Sequence, residues 1–256
     1  MKTLPHGAEW RQAQLAAFPL LRNCPVPLLQ ALAAESTALS YDEGETLLVE
    51  RDPPRGAYVL LSGAMSVYYA SPEGERVMVK LFAAPAFFGE MEALVGVGHL
   101  ENVEVLRDST AILLPTQALM RVLQGSNAVC YQLLVDVCAR LCVAARNEYM
   151  LAFSEVEQRM ASFLLGYAHV FGTPDGAGGV VLARPITQEQ LAASVGATVR
   201  SVQRAFLAWK TQGLVMGRGR KLVLADLAAL EQLAEGSQGR IDYRIGEMFG
   251  APLKAT

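Results

Sequence analysis

Cysteine and histidine are scarce in this 256-residue chain, with four of the first and three of the second. Cys24, Cys130, Cys138 and Cys142 are too few and too scattered for a disulfide framework, which predicts reduced thiols. His6, His99 and His169 form no ligand-spaced pair, so no metal site is expected from them. Unbroken apolar runs are short: the one around Val59 to Leu61 falls far below the length that crosses a bilayer, and the opening MKTLPHGAEWRQ lacks the apolar core of a signal peptide. The expectation is a cytoplasmic protein with no membrane partner. Signatures of catalysis are missing as well. There is no GxSxG, no Walker loop and no nucleophile–base set, so the chain is not expected to be an enzyme.

What is present is a globular composition, 52% hydrophobic and 18% charged, in a length that predicts two domains rather than one. The formal net charge of −3 argues against a nucleic-acid partner until its distribution is read. Between Arg184 and Lys221 stand seven basic residues (Arg184, Arg200, Arg204, Lys210, Arg218, Arg220, Lys221) and one acid, Glu189, giving 7 − 1 = +6 there and −3 − 6 = −9 elsewhere. Attraction to a phosphate backbone depends on the local field rather than the molecular total. An ordinary solvated basic face is the plainer reading of the same charges.

Three periodicities divide the chain. From about Leu39 to Pro115, short β-branched runs such as AYVLLSG and NVEVLRDSTAILLP alternate with turn signals, SPEGE reading as a hairpin turn; this predicts a closed sheet or jelly roll. From Thr116 to Phe153 the pattern turns helical, first TQALMRVLQ and then a long run from Asn127 without Pro or Gly. Leu134, Val137, Cys138, Leu141, Cys142 and Ala145 recur along it at three-or-four spacing, with Arg140, Arg146 and Glu148 mostly off that line. Such a stripe is covered either by the same helix of a second chain or by the chain's own roll, on different faces if both.

After the Gly- and Pro-rich HVFGTPDGAGG, the third region is short helices with sharp punctuation. Thr187 and Gln190 fit a capping box, and Gly196 supplies a turn. Thr198 can cap a further helix on which Val202, Ala205, Phe206 and Trp209 share one face and Val199, Arg200, Gln203 and Arg204 the other. That split is what a helix-turn-helix needs: one face builds the domain while the other offers donors to base edges, with Thr198 and Ser201 able to bond phosphate. GLVMGRGRKLVLAD then reads as a β-wing bringing Arg218, Arg220 and Lys221 to a DNA backbone, and Asp226 as the cap of a last helix.

This layout, over about Leu28 to Ala234, resembles the family of cyclic-AMP receptor and fumarate–nitrate (CRP/FNR) regulators. GETLLVE, YVLLSGAMSVY, FFGEM, the long helix and the winged helix-turn-helix carry the likeness; LFAAPAFFGEMEAL and ILLP look closest to the YeiL-type branch. The resemblance implies an α+β chain with a cyclic-nucleotide-binding-like β-roll (jelly roll) at 1–122, a dimerisation helix at 123–153, a winged helix-turn-helix at 154–236 and a tail at 237–256. It implies a homodimer on palindromic double-stranded DNA, with activator-type contact to RNA polymerase, governed by a small-molecule effector. Val199, Arg200 and Arg204 fall in the family's base-reading slots, Val199 departing from the usual arginine. The effector region maps to Phe88, Gly89, Glu90, Met91, His99 and Glu101. Cyclic-AMP binders hold the phosphate with an Arg-Ser pair about ten residues past the Gly-Glu; here no Arg or Lys stands from Met91 to Leu106, while Glu101 and Glu104 would repel a phosphate. Ala144 and Ala145 replace the purine-contacting hydroxyls. Cyclic AMP is therefore not the expected effector. Iron–sulfur cluster and haem stay open as cofactors, although Cys138 and Cys142 read more readily as small core residues of the stripe and His99 as an exposed loop residue; Tyr68, Tyr69, Phe87 and Phe88 read equally as pocket wall or core. A ligand-binding module that has lost specific DNA binding is the competing function.

Overall fold

The structure, a computed structural model, describes residues 1–71, 74, 76–218 and 221–235. The tail, Arg220 and three residues of the SPEGE turn lie outside the described residues. Two compact units divide the chain: Met1–Tyr69 with Phe82–Leu141 form one, and Ala70–Leu81 with the described chain from Cys142 the other.

The first unit opens with strand β1 (Lys2–Thr3), helix α1 (Ala8–Ala17), a 3-10 turn (Pro19–Leu21) and helix α2 (Val26–Glu35). Strands β2 (Thr37–Tyr41), β3 (Thr46–Leu48), β4 (Gly56–Ala70), β5 (Arg76–Ala83), β6 (Ala86–Phe88) and β7 (Asn102–Pro115) follow, with helix α3 (Glu90–Val95) between the last two; of β5, the residues up to Leu81 belong to the other unit. β4 and β7 are its antiparallel spine, pairing from Gly56↔Pro115 to Tyr68↔Asn102. β2 lies on the other side of β7, β1 on β2, β3 on β7 and β6 on β4.

AYVLLSG reads as an unbroken apolar run because β4 is buried on both faces. Ala57 and Val59 join Ile112 and Leu114 against α1 and α2, while Tyr58 and Leu60 join Met65, Val105 and Leu113 inside the roll. Gly63 sits at φ +98, and an added Cβ would lie 2.7 Å from the Ser109 Cα, so only glycine fits this bulged stretch.

Helices α4 (Thr116–Gly125) and α5 (Asn127–Phe153) come next. Val129, Leu133 and the half-buried Val137 of α5 pack on the same core as α1 and α2. Val137 is thus a roll-facing residue, a correction to its place in the expected dimer stripe. Leu134, Cys138, Leu141, Cys142 and Ala145 are exposed. A second correction concerns hydropathy: α5 is long and apolar enough to cross a membrane, although no unbroken run in the sequence is. Its buried edge nevertheless carries Asp136 and Arg140, and its apolarity comes largely from the exposed stripe.

In the second unit α6 (Val156–Phe171) starts at a Glu155–Gln158 capping box. Strands β8 (Gly172–Pro174) and β9 (Val180–Leu182), helices α7 (Gln188–Ser194) and α8 (Val199–Thr211), hairpin strands β10 (Val215–Arg218) and β11 (Lys221–Leu224), and helix α9 (Leu227–Glu235) complete it. The sheet order is β10-β11-β9-β8. Asp226 accepts from the Ala229 amide at 2.9 Å, capping α9 as expected.

Candidate nucleic-acid interface

The α7–turn–α8 segment is held by its own sequence. Thr187 accepts from the Gln190 amide at 3.1 Å and the Gln190 side chain accepts from the Thr187 amide at 3.0 Å, so both orphan donors at the start of α7 are satisfied. Gly196 turns the chain at φ +61, a conformation that a side chain resists. Thr198 then accepts from the Ser201 amide at 3.2 Å, capping α8 at its entry, and its hydroxyl lies 3.0 Å from that of Ser201.

The turn has a further determinant that sequence reasoning missed. The Arg159 guanidinium, reaching from α6, donates to the carbonyls of Ser154, Val195 and Gly196, the last two at 2.7 and 3.2 Å. Charge-assisted bonds to two consecutive carbonyls fix the angle between α7 and α8. The signal, one arginine some 35 residues upstream, has no local periodicity to expose it.

α8 presents two chemically distinct faces. Val202, Ala205, Phe206 and Trp209 are buried, the two rings meeting edge to face at 6.0 Å. The Trp209 indole donates to Glu157 at 3.1 Å, so its only polar atom is satisfied. Arg200, Gln203 and Arg204 point to solvent, with Val199 and Ser201 half-buried at the helix start. The expected wing is present: β10 and β11 pair from Val215↔Leu224 to Arg218↔Lys221, with Lys221 exposed and Arg220 outside the described residues.

The expected effector residues do not converge. Phe88 is a core residue, stacked on Tyr58 at 5.3 Å, and Phe87 packs on the opposite side of the sheet. Gly89, at φ +79, lies with its Cβ position 3.2 Å from the Tyr58 ring, and turns the chain into α3. Met91 is exposed. His99 is buried, not the exposed loop residue expected, because the backbone on either side is stitched to the Arg51–Asp52 turn by Arg51 N–H to His99 O at 2.7 Å and His99 N–H to Asp52 O at 3.0 Å. Glu101 accepts from the Tyr69 hydroxyl at 3.0 Å; burial and then this carboxylate push the Tyr69 phenol up from its usual range.

Glu90 is the exception. It is completely buried and ion-paired to Arg140 of α5, which also holds Asp136 at 2.9 Å. Arg140, off the apolar stripe of the long helix, is thus part of the roll's interior and not of its solvated surface. Its i,i+4 spacing from an aspartate in an otherwise apolar helix was the available signal. Glu90 Oε2 and Arg140 Nε are buried with no hydrogen-bond partner among the described residues. Of the thiols, Cys24 is buried and pushed up by desolvation, which disfavours the thiolate that a cluster iron requires; Cys130, Cys138 and Cys142 are exposed.

A roll followed by a winged helix-turn-helix with a solvent-facing basic helix defines a DNA-binding transcription regulator. The model of the cyclic nucleotide-binding domain family matches residues 38–126, and that of the Crp-like helix-turn-helix domain residues 158–233. The chain belongs to the CRP/FNR family of transcriptional regulators. It is similar to the CRP-like cAMP-activated global transcriptional regulator of Mycobacterium tuberculosis, 24% identical over 86% of this chain and 98% of that one. It is also similar to the transcriptional regulator SdrP of Thermus thermophilus, 29% identical over 79% of this chain and 96% of that one. A solved CRP/FNR-family regulator from Thermus thermophilus superposes with a TM-score of 0.63 at 27% identity, covering 78% of this chain and 98% of its own.

Proposed function

We propose that this regulator binds a two-fold DNA site as a homodimer in the cytoplasm, reading bases with Arg200, Gln203 and Arg204 of α8 and holding the backbone with Thr198, Ser201 and the wing cations Arg218, Arg220 and Lys221. The observation that carries the reading is the division of α8 into a buried aromatic face and an exposed basic one. Arginine and glutamine on that face match the paired acceptors of guanine and the donor–acceptor pair of adenine. Contact with RNA polymerase and placement in the YeiL-type branch rest on family likeness alone.

The effector is sensed in the roll at Glu90. Its partner Arg140 neutralises a carboxylate there, and the stretch Met91–Leu106 supplies no cation for a phosphate, so a cyclic nucleotide is a poor match although the mycobacterial relative is named as cAMP-activated. Glu90 Oε2 and Arg140 Nε suit a small ligand that both donates and accepts hydrogen bonds.

Purified protein incubated with a random duplex pool is expected to enrich a two-fold sequence, with affinity falling about 10³-fold or more between 50 and 200 mM salt, as for proteins making six to ten phosphate contacts. Enrichment of nothing, or equal binding to every duplex, defeats the proposal.

The dimer seam has its own test. Tyr131, Leu134, Cys138, Leu141 and Ala145 are exposed on α5 at alternating three- and four-residue spacing, the pattern that two parallel helices bury against each other. Cys138 falls in the middle of that stripe and would face its own counterpart across a two-fold axis. Diamide should therefore convert the protein to a covalent dimer on non-reducing gels, and Cys138→Ser should abolish the band while leaving a non-covalent dimer in sedimentation. A monomer at micromolar concentration refutes the seam.

A further inference from the structure

Among the described residues from Val156 to Glu235, the large apolar side chains that stand exposed are Leu207, at 69%, and Met216, at 50%. Everything else large and apolar in that stretch is at least half covered by the domain's own fold. The two exceptions lie on α8, which also carries the exposed Arg200, Gln203 and Arg204, and on wing strand β10.

Leu207 is placed within that face, not beside it. At 100° per residue it lies one turn beyond Gln203 and Arg204, about 40° from the first and about 60° from the second, on the side opposite Val202 and Trp209. It follows Arg204 by three residues, about 4.5 Å along the axis, little more than one base-pair step of about 3.4 Å. A helix that sets Gln203 and Arg204 against base edges therefore brings Leu207 to the same groove wall.

The major groove offers one apolar group, the C5-methyl of thymine; adenine, guanine and cytosine present only donors, acceptors or a ring hydrogen there. We propose that Leu207 is a specificity-determining residue that packs on a thymine methyl adjacent to the bases read by Gln203 and Arg204. The proposal rests on the DNA-reading role assigned to α8. A leucine donates and accepts no hydrogen bond, so it discriminates by shape and desolvation: it favours a methyl and leaves a cytosine amine or a purine nitrogen without a partner.

The test removes methyl groups from the DNA one at a time. In the duplex enriched by the wild-type protein, each thymine is replaced in turn by deoxyuridine, which keeps every donor and acceptor and lacks only the C5-methyl. At one thymine per half-site the wild-type protein should lose about fivefold in affinity, the scale of burying a single methyl-sized group. Leu207→Ala should bind with the same salt dependence, respond as the wild type does at all other thymines, and be indifferent to the methyl at that one. Replacing the thymine's base pair so that 5-methylcytosine stands there should recover more affinity than cytosine does for the wild-type protein only. Because Leu207 is exposed, the variant keeps its fold, checked by an unchanged melting curve. If no thymine shows a methyl effect that Leu207→Ala removes, Leu207 does not read the groove, and loss of activation without loss of DNA affinity in that variant would instead make it a protein contact. If the wild-type protein enriches no two-fold duplex at all, the DNA-reading role of α8 fails first, a result separable from failure at Leu207 alone.

Discussion

Replacing Arg200 and Arg204 together with alanine is expected to lower affinity for the enriched duplex by about 10³-fold or more while leaving the melting temperature unchanged. The size follows from the contacts. A bidentate arginine–base pair contributes about 1–3 kcal/mol of discrimination, and a homodimer would lose two on each half-site, so even the lower end of that range reaches the roughly 4 kcal/mol that a thousandfold represents. The insensitivity of the fold follows from exposure. Both side chains project from α8 into solvent, and the helix is held from its other side by Val202, Phe206 and Trp209. Surface substitutions of this kind stay within about 0.5 kcal/mol. Binding to unrelated duplex should fall much less, because the proposed phosphate contacts of the wing and of the hydroxyls at the start of α8 would remain. Equal affinity of the variant and the wild type for the enriched site, measured by fluorescence anisotropy, would favour the competing reading of a ligand-binding module without specific DNA recognition.

The winged helix-turn-helix is legible in the sequence because its determinants are local. Capping residues Thr187, Gln190, Thr198 and Asp226 act within three positions, Gly196 acts through its own φ, and the α8 stripe repeats at three and four. The strands of the roll are legible for the same reason, as runs between turns. Residues whose state depends on distant chain are not. His99 looks like a loop histidine until the Arg51–Asp52 turn, nearly fifty positions earlier, closes over it. Val137 fits the exposed stripe by number and the core by contact, because α5 is apolar on two faces and periodicity alone does not say which one the roll covers. Helices α1 and α2 escape a local reading since their burial comes from β4, β7 and α5, partners that a window of a dozen residues never contains. Arg140 and Arg159 belong to the same class. Each is a long cation committed to groups remote in sequence, and composition lists it with the solvated surface.

Arg140→Ala is expected to destabilise the first unit strongly, costing about 3–5 kcal/mol, the range for breaking a buried ion pair from one side. The asymmetry is the reason. With the guanidinium present, Glu90 at 0% and Asp136 at 4% side-chain exposure share one cation; without it, two carboxylates shielded from solvent lose the counter-charge they have in common. Against a typical total of about 5–15 kcal/mol this is a large fraction, and hydrogen exchange at the most protected β4 amides should quicken by roughly 10²- to 10⁴-fold. Arg140→Lys should fall between, since an ammonium keeps the charge but is shorter and more strongly hydrated than the guanidinium, whose Nη2 meets both acids. The decisive comparison is the pair: Glu90→Gln in the Arg140→Ala background should restore part of the loss, because an amide buried at that site demands hydrogen bonds but no counter-ion. A double variant no more stable than Arg140→Ala, or a single variant within about 1 kcal/mol of the wild type, would mean that solvent reaches the site and that the roll and α5 are joined by their apolar contacts alone.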